Sequence, residues 1–267
     1  MSVMASPRSG VGELVRHWRQ RRHLSQLDLA LEADVSARHL SFVETGRSKP
    51  SRELLLHLAE HLDVPLRERN QWLLAAGFAP LYPESSLDTD RMEPVRAALD
   101  KILTGHEPCP AVSVDRQWDL VSGNRPAVAV MGDGVEPYLL EPPVNALRIS
   151  LHPDGLARQI VNLAEYSAHL MTRLQRQLIL SGDEGLAVLY DELRHYPGVA
   201  ESSTAVDAAS LLFVPFVLRA PDGRHLSFFS TLATFGTALD ITVAELAIES
   251  FFPADKATET ALRTRFG

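Results

Sequence analysis

The chain has 267 residues, of which 45% are hydrophobic and 22% charged, a composition that excludes a mostly disordered protein. Its length exceeds that of one ordinary domain and points to two. Residues 1–83 carry 11 basic and 9 acidic side chains and the remainder 15 and 25, so a slightly basic head precedes a strongly acidic body.

The longest apolar run, Leu211 to Leu218, has eight residues and contains Pro215, far short of the ~18 needed to cross a bilayer, so no membrane partner is expected. Met1 to Gly12 holds no continuous apolar stretch of the signal-peptide kind, and the single cysteine, Cys109, excludes an intramolecular disulfide. A cytoplasmic protein is the expectation.

Along the head, Val11, Leu14, Val15 and Trp18 recur on one helical face, with Arg16, Arg19, Arg21 and Arg22 on the others. Ser25 is placed to cap a second helix, Gln26 to Ala33, and Ala33-Asp34-Val35 forms a tight corner. Ser36 caps a third helix running to about Thr45, Gly46 ends it, and Pro50-Ser51 opens a fourth. Two short helices joined through such a turn make a helix-turn-helix, although any small helical bundle has similar periodicity.

The residues themselves narrow the choice. Leu24-Ser25-Gln26-Leu27-Asp28-Leu29-Ala30, then Val35-Ser36-Ala37-Arg38-His39-Leu40-Ser41-Phe42-Val43-Glu44-Thr45-Gly46-Arg47 and Pro50-Ser51, resemble the Xre or lambda-repressor type of helix-turn-helix domain over roughly Gly12 to Ala76. The resemblance implies double-stranded DNA as partner, and a homodimer is expected because a single head of +2 offers few phosphate contacts and two heads would double them. Gln26, opening the second helix, can hold a phosphate at the positive end of the helix dipole. On the third helix Leu40 and Val43 should face the core, leaving Ser36, Ala37, Arg38, His39, Ser41 and Phe42 toward the DNA. Arg38 suits guanine and Phe42 a thymine methyl, while His39 is equally a solvated helix residue. Arg47 and Lys49 are placed for phosphates. Glu44 would repel DNA, and in the family its counterpart pairs with an arginine of the first helix, here Arg19. Asp34 stands where the family usually has glycine, a residue type that tolerates the left-handed backbone.

After a helix from about Pro65 to Ala76, the Pro- and Ser-containing stretch after Gly77 reads as a linker. The division expected is 1–80 for the DNA-binding domain, 81–92 for the linker and 93–267 for the second domain. Glu93 to Leu103 is a helix with Val95, Leu99 and Ile102 on one face. Strands are expected at Ala111 to Val114 and Trp118 to Ser122. Asn124 starts a short helix, and longer helices span Gly155 to about Ser181 and Glu184 to His195. Three further strands are expected at Leu211 to Arg219, His225 to Thr234 and Ala244 to Phe252, with Pro221-Asp222-Gly223 turning between the first two. The fold class is thus an all-α helix-turn-helix domain followed by an α+β domain that resembles a PAS-type five-stranded antiparallel sheet of order 2-1-5-4-3.

Ala111 to Arg125, Leu147-Arg148-Ile149-Ser150-Leu151-His152-Pro153-Asp154-Gly155, Leu226 to Thr237 and Ile248 to Asp255 are similar to the MmyB-like ligand-binding domain found behind Xre-type heads. That resemblance implies a one-component transcription regulator whose body holds a small apolar effector, a long-chain fatty acid being the candidate, and no other cofactor. Phe228, Phe229 and Phe235 are candidates to line the pocket, though strand aromatics also serve as plain core. Arg148 and His152 are candidates to hold a carboxylate head group. Arg148 pairing with one of the body's acids is the other reading.

Enzyme signatures are lacking. The sequence has no Gly-x-Ser-x-Gly and no phosphate-binding Gly-x-x-x-x-Gly-Lys, and Gly132-Asp133-Gly134 lacks the third glycine of a dinucleotide loop. His152-Pro153-Asp154 does not have zinc-ligand spacing, and one cysteine cannot build a thiolate metal site. A non-enzymatic regulator is expected. The alternative is a DNA-binding protein whose body only dimerises or binds another protein.

Overall fold

A computed structural model describes residues 10–200 and 214–267. They fall into two compact units, the first reaching through Ser85 and including Ala238–Ile241, the second made of Ser86–Thr237 and Thr242–Gly267.

The first unit contains five helices: α1 Val11–Arg21, α2 Gln26–Glu32, α3 Ala37–Glu44, α4 Arg52–His61 and α5 Leu66–Ala75. Serines start three of them. Ser25 and Asp28 form a reciprocal capping box on α2, Ser36 Oγ accepts from His39 N, and Ser51 Oγ accepts from Leu54 N, each such cap contributing roughly 1 kcal/mol. Helix ends are turned by residues in the left-handed region, among them Asp34 with φ 49° and Gly46 with φ 71°, so the aspartate does take the conformation the corner needs. Val15, Trp18, Leu29, Leu40, Leu58 and Trp72 are buried together. The stretch after α5 is held to it: Asn70 Oδ1 accepts from Leu81 N and Tyr82 N, and Arg67 bonds both carboxylate oxygens of Glu84.

The second unit is built on an antiparallel sheet of order β2-β1-β5-β4-β3, the order expected from the sequence. Its strands are β1 Ala111–Val114, β2 Leu120–Gly123, β3 Phe216–Arg219, β4 His225–Thr234 and β5 Ala247–Pro253. All four residues of β1 are buried, because it lies between β2 and β5 with both faces covered. Side chains alternate across the sheet. Val112, Val114, Phe216, Leu218 and Phe228 belong to one core with Leu170, Met171 and Leu174, whereas Ala111 and Ile248 pack on the other side with Leu99 and Leu103.

The helices of this unit are α6 Glu93–Gly105, α7 Arg125–Gly132, α8 Ala146–Leu151, α9 Leu163–Ser181, α10 Glu184–Leu193, the single turn α11 Ile241–Ala244, whose first residue falls in the first unit, and α12 Lys256–Phe266. Several expectations are corrected. The buried face of α6 carries Leu99 and Leu103 at 3% and 2% exposure, while Ile102 is 44% exposed, so the stripe follows i, i+4 spacing rather than i, i+3. Gly155 to Ser181 is not one helix. It is broken because Val161 N donates to Val217 O and Arg219 N donates to Gln159 O, drawing residues 159–161 out to pair with β3. The last strand begins at Ala247, not Ala244, because α11 takes the residues before it. Residues 211–213 of the expected third strand lie outside the described residues.

Candidate DNA-binding face and ligand cavity

In the helical unit, one carboxylate organises the elements that carry the expected DNA contacts. Arg19 on α1 sends Nε to Glu44 Oε1 at 2.7 Å and Nη2 to Oε2 at 2.9 Å, with Nη1 bonded to Leu24 O. Glu44 is buried, its side chain 1% exposed. The hydrogen bond to Glu44 holds the Arg19 proton more firmly than usual. Removing one partner of such a buried pair costs about 3–5 kcal/mol. Gln26, at the first position of α2, donates from Nε2 to Glu44 Oε2 at 2.8 Å, which fixes the amide while leaving its oxygen and second hydrogen available.

On α3, Leu40 and Val43 are buried, Arg38 and His39 are exposed, and Ser41 and Phe42 are half-buried. The Arg38 guanidinium lies 5.4 Å over the Phe42 ring, a stacking that pre-orients it. Ala37 is half-buried against the helical core, and Ser36 is occupied as the cap of α3. Arg47 and Lys49 are exposed beyond the helix end, where Arg47 N and Ser48 N both donate to Phe42 O. Arg38, His39, Arg47 and Lys49 thus offer donors without a buried competitor, and Gln26 keeps one amide hydrogen beyond its bond to Glu44.

In the sheet unit, an apolar cavity of about 60 Å³ lies between the β-sheet and the helices, bounded by residues including Trp118, Leu147, Tyr166, Phe216, Phe228 and Phe251. That is well below the ~300 Å³ at which small-molecule pockets usually begin. Occupation by a chain molecule therefore requires side chains to part. Phe228 lines this space, but Phe229 does not. Alternation puts Phe229 on the opposite face, where it stacks on Phe252 at 5.2 Å. Phe235 packs with the α6 cluster.

Arg148 and His152 stand apart from that wall. Arg148 is engaged by Glu192, Nε to Oε1 at 2.9 Å and Nη2 to Oε2 at 2.8 Å, and the Tyr196 hydroxyl also donates to Glu192. The Arg148 bond comes first among the causes that hold the Glu192 carboxyl below its ordinary range. The His152 ring meets those of Tyr138 and Tyr196 edge-on, and its Nδ1 accepts from Asp154 N.

Sequence reasoning passed over the polar end of the cavity. Glu249 on β5 reaches its wall while 6% exposed, and its Oε1 accepts from Ser230 Oγ at 2.9 Å and Arg173 Nη1 at 3.2 Å. Arg173 lies 4.4 Å over the Trp118 ring. Burial pushes the Tyr166 hydroxyl up, and Glu249 adds to the effect. The signal was a lone glutamate inside the apolar strand Ala247-Ile248-Glu249-Ser250-Phe251, since a charge in such a position is seldom tolerated without a partner.

Residues 95–264 match the family described as MmyB-like transcription regulator ligand binding domain, and residues 15–69 match a helix-turn-helix family. Neither is a family of enzymes. No curated protein matches. A solved structure described as an RNA-binding light-oxygen-voltage receptor is 12% identical, with a TM-score of 0.28; the match covers 96% of this chain and 62% of that one.

Proposed function

Because the chain belongs to the MmyB-like transcription regulators, with a helix-turn-helix unit ahead of its ligand-binding domain, we propose that its sheet unit responds to a small apolar molecule of the acyl-chain type, a fatty acid among them, and thereby sets operator binding. The protein is a DNA-binding transcription regulator with a ligand-binding-type domain. Among the described residues no helix is long and apolar enough to cross a membrane. The observation that carries the ligand reading is the cavity itself, walled almost wholly by carbon and set between sheet and helices. Apolar walls with few polar groups are the usual make-up of such sites.

At the DNA, Arg38 reads a base in the major groove, with His39, Ser41 and Phe42 beside it. Gln26, Arg47 and Lys49 hold phosphates. A homodimer sets two α3 helices into successive major grooves about 34 Å apart. The first experiment is solvent extraction of the purified protein with mass spectrometry of the extract, then operator affinity with and without what is found. A chain lipid that changes affinity about 5-fold or more supports the reading; unchanged affinity defeats it, because a ligand with equal affinity for both states shifts nothing. A second reading, a body that only dimerises, is favoured by the small volume of the cavity and by Ile179, Leu180 and Val188, exposed on α9 and α10. An empty extract and a dimer disrupted by Val188→Asp would support it.

A further inference from the structure

The cavity is too small for a chain molecule, but two of its wall residues have space on both sides. Met131 and Ile149 line it and also line a surface groove of about 340 Å³. The groove lies between β2, the end of α7 and residues 140–144: Leu120 and Val121 come from the strand, Val128 and Met131 from the helix, Leu140 and Val144 from the connecting segment. Among the described residues no charged side chain lines it, and Ser122 is its one polar side chain.

The two shared residues differ in freedom. Ile149 is β-branched and buried in the core, so it holds one rotamer. Met131 is half-buried in the last turn of α7, unbranched, and able to re-pack about three rotatable bonds. Turning it aside would join the cavity to a groove that by itself exceeds the ~300 Å³ at which small-molecule pockets usually begin. A second groove meets the cavity only at Val130, a stiff residue in a helix. Asp133, Asp222, Arg224 and Arg265 line that one, and a hydrocarbon there would have to strip water from charges.

The walls also say what fills the space. Val128 is 58% and Leu140 37% exposed, apolar surface that a hydrocarbon would take out of water. An added strand from another protein fits less well, because the β2 edge is already engaged where Leu120 N donates to Val144 O. We propose that the groove is the outer half of the ligand site: an apolar chain lies along it, turns Met131 aside, seats its tail in the cavity and leaves its polar end in water. This rests on the reading that the cavity is the ligand site, and it makes chain length, not head group, the basis of selection.

The full-length protein is titrated with 1-hexanol, 1-octanol and 1-decanol, and with decanoate and decyltrimethylammonium, following heat or tryptophan emission. Affinity is expected to rise about tenfold for every two carbons, and the three ten-carbon ligands should agree within about threefold. Val128→Asp and Leu140→Asp, which change the groove wall and not the cavity wall, should each weaken decanol at least about tenfold and hexanol less than about threefold. Met131→Ile should slow decanol association at least about fivefold in stopped flow. No gain beyond hexanol, equal losses for hexanol and decanol in both variants, or a spread above about tenfold among the head groups would overturn the groove while the cavity reading stands. An unchanged association rate would remove Met131 as the moving partition. If none of the ligands binds, both readings fall. Should neither groove variant fold in a thermal melt, the chain-length and head-group series on wild-type protein decide.

Discussion

Gly12 on α1 rests directly on the backbone of Val43 on α3: a Cβ at position 12 would lie 2.3 Å from Val43 O and 2.8 Å from Glu44 O. Gly12→Ala gains up to ~1 kcal/mol of helix propensity, but the obstacle is backbone, which cannot swing aside as a side chain can, and overpacking of this kind costs about 1–3 kcal/mol or more. The expected outcome is a lower melting midpoint, by roughly 4–8 °C per kcal/mol lost, read on the full chain by circular dichroism at helical wavelengths. An unchanged midpoint would mean that α1 does not approach α3 this closely.

Arg38 and Gln26 should fail in different ways. Arg38→Ala is expected to cost about 1–3 kcal/mol at one base pair and to relax preference there, with melting unaltered. Gln26→Ala should weaken all duplexes alike and also lower the melting midpoint, because it removes a bond to the buried Glu44 carboxylate, worth about 1.5–3 kcal/mol. Operator and random-duplex affinities, each across a salt series with a slope near −0.9 per phosphate contacted, separate the two. Equal losses on both DNAs for both variants would contradict these roles.

The pairing of Arg148 with Glu192 predicts a pH signature. The Glu192 carboxyl is more acidic in the folded protein than its ordinary value of 4.5. It therefore adds stability above that value and loses it as the pH falls below 4.5 through its folded value. Arg148→Gln should accordingly melt earlier than wild type at neutral pH, with the gap closing in acid. A gap of constant size from neutral pH to about pH 3 would show that the pair carries no titrating stability.

Asn124 is a buried polar junction of the sheet unit. Its Oδ1 accepts from Ala111 N and Ala127 N, and its Nδ2 donates to Leu103 O and Cys109 O. Asn124→Ala leaves several of these groups buried without partners, each at about 1–3 kcal/mol, and is expected to unfold this unit at moderate temperature. Asn124→Asp places a carboxylate against two carbonyl oxygens, which favours its protonated form, so that variant should gain stability as the pH is lowered from neutral. Wild-type-like melting of both at neutral pH would remove Asn124 from this role.

Periodicity and turn chemistry carried the fold because most elements here agree with their neighbours. Serine caps, Asp34 at the corner and Gly223 in the β3–β4 turn each mark a boundary that the backbone observes. The breaks came where tertiary pairing overrode local preference, as at residues 159–161, which leave a helical pattern to bond β3. The head's exposed residues were legible because a helix-turn-helix ties sequence position to surface closely. The cavity was not, for two reasons. Consecutive phenylalanines on a strand look alike in sequence, yet Phe228 and Phe229 face opposite ways. The polar end joins Glu249 to Arg173, 76 residues apart, and no local pattern links them.

Glu44 receives Arg19 and Gln26 at once, so the framework of the DNA-binding unit and one of its proposed phosphate contacts share a single acceptor. A genetic screen scored on lost operator occupancy would then collect substitutions at positions 19 and 44 beside those at 38, although neither Arg19 nor Glu44 has any business with a base. Temperature sorts the two kinds. Lesions in the buried pair shift the folding balance by a few kcal/mol and are rescued by growth in the cold or by extra gene dosage. A lesion at Arg38, which leaves the fold intact, stays silent to both.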